Sequence, residues 1–126
     1  MNVELTKKYH FEAAHALVRA PEGHRCRNLH GHTYEVEVTL AGPVDPVTGW
    51  LLDYSDITRA VKPVLDLLDH RLLNEVEGLS QPTSEHLCAW LWERIAPALP
   101  HLREITVRET PTSQCRYRGP GAPDDR

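Results

Sequence analysis

The sequence predicts an α+β fold, a four-stranded antiparallel sheet with two helices on one face. Three observations carry that prediction. Apolar and polar residues alternate near both ends of the chain, two segments between them repeat apolar residues at helical spacing, and clusters of Gly and Pro separate these stretches. A chain of 126 residues fits one domain with one core.

The first element is a strand from about Val3 to Ala14 that aligns Phe11, Ala13 and His15 on one face. Pro21-Glu22-Gly23 marks a loop, and Cys26 falls on the loop side of the second strand. There the alternation is clearest. His30, His32, Tyr34, Val36, Val38 and Leu40 share one face, and Thr33, Glu35, Glu37 and Thr39 take the other.

Turn formers from Gly42 to Gly49 lead into Trp50-Leu51-Leu52, after which Asp53 or Ser55 can cap a first helix. Its apolar stripe is Ile57, Val61, Val64, Leu65 and Leu68. Pro63 lies inside that stripe, where a lost hydrogen bond and a clash cost about 3 kcal/mol, so a kink or break is expected there. The pair Asp69-His70 closes this helix. A second helix opens at Pro82-Thr83-Ser84-Glu85 with Thr83 as its cap, buries Leu87, Trp90, Leu91 and Ile95, and ends at Pro97 and Pro100. Glu104 to Glu109 alternates as a third strand, and Cys115-Arg116-Tyr117 forms a fourth. The domain is assigned to residues 1–118, with a flexible tail at 119–126.

A net charge of -4 without a basic block gives no electrostatic footprint for nucleic acid or an anionic membrane. No apolar run reaches spanning length and the first residues lack a signal-peptide core, so the expectation is a soluble, cytoplasmic protein with no membrane partner. Three cysteines, an odd number, argue against a disulfide framework and for a reducing compartment.

The chemistry gathers around His30-Gly31-His32. Alternate strand residues point the same way, so His30 and His32 can offer two imidazoles to one ion, with His15 as a third. Three imidazoles with an open position make a catalytic zinc site; Cys26 as a fourth ligand would instead make a closed structural one. Spacing does not choose between them. Affinity order would also admit copper or nickel, so zinc rests on ligand type and availability. His10, His24, His86 and His101 lack a matching partner and read as ordinary side chains.

Cys26 does chemistry only as a thiolate, a form that a nearby divalent cation or protonated histidine favours. Cys88 and Cys115 read as small core residues. In Asp69-His70 a carboxylate could orient a histidine for proton transfer, although a helix C-terminus alone also accounts for a histidine there. Glu109, at a strand end, could accept two N–H donors from the guanidine-like edge of a pterin or guanine, or be merely exposed. Lys7, Lys8, Arg25 and Arg27 are the candidate partners for an anionic substrate, or else solvated surface charges.

Five motifs in order, Phe11-x-Ala13-Ala14-His15, Cys26-x-x-x-His30-Gly31-His32, Leu68-Asp69-His70-x-x-Leu73-Asn74, Pro82-Thr83-Ser84-Glu85 and Glu109-Thr110, resemble the family of 6-pyruvoyl-tetrahydropterin and 6-carboxytetrahydropterin synthases. The resemblance implies a tunnelling fold (T-fold) whose small units assemble into barrels, commonly a homohexamer of two stacked trimers with active sites between subunits. It implies zinc on His15, His30 and His32, Cys26 as catalytic base, Asp69 and His70 as its catalytic partners, and Glu109 as the anchor of a pterin substrate. The three residues between Cys26 and His30 resemble the bacterial carboxy-type pattern. The implied reaction turns 7,8-dihydroneopterin triphosphate into 6-carboxy-5,6,7,8-tetrahydropterin with release of acetaldehyde and triphosphate, on the route to queuosine and other deazapurines. Two alternatives stand beside it: a pyruvoyl synthase that stops at triphosphate elimination, and a non-catalytic zinc or pterin-binding module in which Cys26 completes the metal shell.

Overall fold

The computed structural model describes residues 1–122. In chain order the elements are β1 (Asn2–His15), β2 (His30–Pro43), α1 (Tyr54–Leu65), β3 (Arg71–Leu72), α2 (Ser84–Ile95), β4 (Leu102–Thr110) and β5 (Ser113–Tyr117). The fold is α+β, but the sheet has five strands, in the order β3-β1-β2-β4-β5, rather than the expected four. The added strand is β3, two residues that run parallel to β1 by pairing Ala13 with Arg71 and Ala14 with Leu72. Two residues leave no periodicity in a sequence.

β1 and β2 form a long antiparallel pair whose register runs from Asn2↔Pro43 to His15↔His30. A slip of one residue would turn Tyr34, Val36, Val38 and Leu40, all fully buried, toward the polar face, so the apolar pattern enforces this register. β4 joins the other side of β2 with Val36↔Val107 and Val38↔Ile105, and β5 returns along β4 with Ile105↔Tyr117. The helices cover the apolar face: Ile57 and Val61 of α1 and Leu87, Leu91 and Ile95 of α2 are fully buried in one core. Each such side chain contributes about 1.5–3 kcal/mol by leaving water.

Asp53 caps α1, accepting a hydrogen bond from the Ser55 backbone at 3.0 Å. The helix runs through Pro63 and ends two residues later at Leu65, so the proline sits in the last turn and neither a break nor a restart occurs there. Leu68 still reaches the core, from the turn beyond the helix. Asp69 and His70 therefore do not close α1. They follow it in a turn, where His70 adopts a left-handed backbone with φ of 59°, too far past the helix for its dipole to account for the histidine. Thr83 caps α2, accepting from the His86 backbone at 3.2 Å.

Past β5 the chain remains packed at Gly119, which is buried at φ of 90° where a Cβ would lie 2.4 Å from Trp92. The rest of the expected flexible tail includes residues 123–126, which lie outside the described residues. Among the described residues no helix is long and apolar enough to cross a membrane.

Candidate metal centre

The β1–β2 register sets His15 directly opposite His30, and the strand period brings His32 to the same face. Ring centroids lie 4.5 Å apart for His15 and His30 and 5.3 Å apart for His15 and His32. One ring nitrogen from each of the three comes within 4.8 Å of those of the other two. Tyr34 continues the same face beneath them, its ring 4.2 Å from that of His32.

Backbone carbonyls orient all three rings. His15 Nδ1 lies 2.8 Å from the Pro82 oxygen, His30 Nδ1 2.8 Å from the Asn28 oxygen and His32 Nδ1 3.1 Å from the Thr33 oxygen. A carbonyl only accepts, so each Nδ1 carries the proton and each Nε2 presents a lone pair. Burial lowers the His15 imidazole below its usual value, against the opposing pull of Pro82 and Glu109, and this favours the neutral form a metal requires. Its Nε2 is buried without a hydrogen-bond partner, a costly state that a bound cation would relieve. The donor set fits a divalent transition-metal ion.

Cys26 stands beside this group and not within it: among the described residues the convergent donors are the three histidines. That geometry favours the open site over a closed shell of one sulfur and three nitrogens. The thiol sits in a short 3-10 turn, Arg25–Arg27, and His24 Nδ1 caps the turn by accepting from the Cys26 backbone at 3.1 Å. The Leu17 N–H donates to the Cys26 carbonyl at 2.7 Å. A cleft of about 440 Å³ joins Arg25, Cys26, His30, His32, Glu109 and Thr110.

Glu109 is half-buried rather than merely exposed. Its Oε1 accepts from the Ser84 hydroxyl at 3.0 Å, and its Oε2 lies 3.8 Å from His32 Nε2. It also lines a second cleft with Ser84, Glu85, Ser113 and Cys115. The carboxylate thus stands between the histidines and an adjoining recess.

Asp69 and His70 do form a pair: Asp69 Oδ1 lies 3.1 Å from His70 Nδ1 and accepts from the Glu12 backbone at 2.9 Å. That Glu12 N–H, aided by His70, holds the Asp69 carboxyl below the usual carboxylate range. Neither residue lines the cleft of Cys26. His70 is exposed and borders a different recess, with Glu12, Gly31, His32 and Arg71. The two groups of expected catalytic residues thus line different recesses, with His32 common to both.

Sequence reasoning missed several supports: the Pro82 carbonyl behind His15, Ser84 behind Glu109, His24 behind Cys26, and Asn74. Ser84 and Asn74 stood within the recognised motifs, but their partners lie 25 and 58 residues away in the chain, beyond any local pattern.

Residues 4–120 match the protein family described as 6-pyruvoyl tetrahydropterin synthase. The chain is 38% identical over 120 residues to the 6-carboxy-5,6,7,8-tetrahydropterin synthase of Synechocystis sp., a match covering 90% of this chain and 92% of that one. It is 36% identical over 127 residues to the protein of the same name in Bacillus subtilis, covering 91% and 84%. The structure of Caenorhabditis elegans 6-pyruvoyl tetrahydropterin synthase is similar at a TM-score of 0.87 and 30% identity, covering 94% of this chain and 96% of that one.

Proposed function

Since the chain belongs to the 6-pyruvoyl tetrahydropterin synthase family, we propose that it is a zinc-dependent lyase converting 7,8-dihydroneopterin triphosphate and one water to 6-carboxy-5,6,7,8-tetrahydropterin, with release of acetaldehyde and triphosphate. The observation that carries this reading is the three-nitrogen group of His15, His30 and His32, two of whose rings, His30 and His32, line one cleft with the Cys26 thiol and the Glu109 carboxylate while His15 is buried. The two relatives of carboxy-type name support the choice of product.

In this reading His15, His30 and His32 hold zinc. When bound, the ion would supply positive charge that polarises the substrate's side-chain hydroxyls and stabilises the negative charge developing on oxygen. Glu109 accepts N–H donors from the pterin edge, and Ser84 steadies its carboxylate. Cys26 takes the carbon-bound proton as general base, and His70, oriented by Asp69, returns one. His70 borders a different recess from Cys26, and in this reading the site is completed between neighbouring copies, as in a homohexamer built from two trimers. The product would serve queuosine and deazapurine biosynthesis in the cytoplasm.

The likeness to the Caenorhabditis elegans structure favours a second reading, a pyruvoyl synthase that eliminates triphosphate without cleaving a carbon-carbon bond. Incubating zinc-loaded protein with 7,8-dihydroneopterin triphosphate separates the two. Acetaldehyde with the 6-carboxy product supports the lyase; triphosphate release without acetaldehyde moves the assignment to the pyruvoyl synthase. No turnover would leave a zinc or pterin-binding module.

A further inference from the structure

We propose that Arg25 binds the polyphosphate of the substrate and thereby makes phosphorylated pterins better ligands than their dephosphorylated forms; this rests on the pterin reading above. Arg25 lines the cleft that holds Cys26, His30, His32 and Glu109, and among the residues lining it Arg25 alone carries a permanent positive charge. Its side chain is exposed and makes no ion pair or hydrogen bond among the described residues.

The other cations suggested by the sequence are remote or committed. Lys7 and Lys8 lie eight and seven residues before His15 on β1, about 26 and 23 Å along a strand that rises about 3.3 Å per residue. Lys8 contacts Glu37 at 3.2 Å, and Arg27 Nη1 donates to the Ala20 carbonyl at 2.9 Å. Arg25, in contrast, extends from an anchored backbone. Its carbonyl accepts from the Asn28 N–H at 3.1 Å, and the next residue is held at both N–H and carbonyl.

The cleft therefore presents one carboxylate and one guanidinium, and a pterin polyphosphate is their complement. The N–H donors of its ring edge suit Glu109, and its anionic tail suits the fork of Arg25. On a chain of net charge -4 a polyanion also needs a local cation to approach.

Calorimetric titration of the zinc-loaded full chain tests this, in a Cys26→Ala background that stops turnover, with 7,8-dihydroneopterin triphosphate and with unphosphorylated 7,8-dihydroneopterin. Arg25→Ala is expected to weaken the triphosphate about 10- to 100-fold, the range of a charge-assisted hydrogen bond, and to leave the unphosphorylated pterin within about twofold. Arg25→Lys should recover part of the loss, and the salt dependence of triphosphate binding should become shallower. Arg103→Ala, at the opposite end of β4, controls for general surface charge and should change neither ligand. No loss with Arg25→Ala, or equal loss for both ligands, overturns the proposal alone. A parent protein that binds neither pterin overturns the pterin reading and this inference together.

Discussion

The side chain of Asn74 grips both backbone polar groups of Ala16: the Ala16 N–H donates to Oδ1 at 2.9 Å, and Nδ2 donates to the Ala16 carbonyl at 2.8 Å. Ala16 directly follows His15, so this clasp fixes the end of β1 beside the three-histidine group. Asn74→Ala should strand two partly buried backbone groups, costing about 1–3 kcal/mol in urea denaturation. As a support behind a ligand, its loss should also weaken zinc binding about 10- to 100-fold in chelator competition. Unchanged zinc affinity would show that the clasp serves stability alone.

With zinc held as proposed, removing the metal should destabilise the fold through His15, His30 and His32. A ligand present at about 100 times its dissociation constant adds about 2.7 kcal/mol, or roughly 10 °C in melting temperature for a domain of this size. Calorimetric scans with and without a chelator should show that shift in the parent protein and little of it in His15→Ala.

Cys26→Ala should keep its zinc and lose turnover by about 10²–10⁴-fold, the contribution of a positioned general base. Metal analysis and single-turnover kinetics on the same preparation check both halves. Loss of zinc would return the sulfur to the metal shell, and full turnover would remove Cys26 from the chemistry.

On the polar face of the sheet, Glu37 lies 2.9 Å from Arg108 and 3.2 Å from Lys8. Burial raises its carboxyl, but the two cations outweigh that and hold it below its ordinary value. A native value below the unfolded one, about 4.3, means the stabilisation is complete above that pH and is lost as pH falls through the native value. Glu37→Gln should cost about 1–2 kcal/mol at neutral pH, and the gap to the parent protein should close in acid. Urea midpoints measured from about pH 7 down to about pH 3 test the sign.

Gly119 is a position where even a methyl group is excluded, since a Cβ would meet Trp92 at 2.4 and 2.6 Å and the backbone is left-handed. Gly119→Ala should destabilise by about 1–3 kcal/mol and disturb the Trp92 environment, read by tryptophan fluorescence. A neutral substitution would mean that the chain after β5 can undock without cost.

What the sequence determined by itself was local and periodic. Alternation along β1 and β2 aligned His15, His30 and His32 with Tyr34 on the buried face, and the chemistry of Asp53 and Thr83 marked the helix starts, because both signals lie within a few neighbouring residues. Only the tertiary structure decided that β3 pairs beside β1, that Cys26 stands outside the histidine group, and that Glu109 is held by Ser84 while His70 opens onto another recess. Those outcomes depend on contacts between residues far apart in the chain and on the course of the loops after His15 and α1. Periodicity tells a side chain which face to occupy; it carries no information about which distant partner will meet it there.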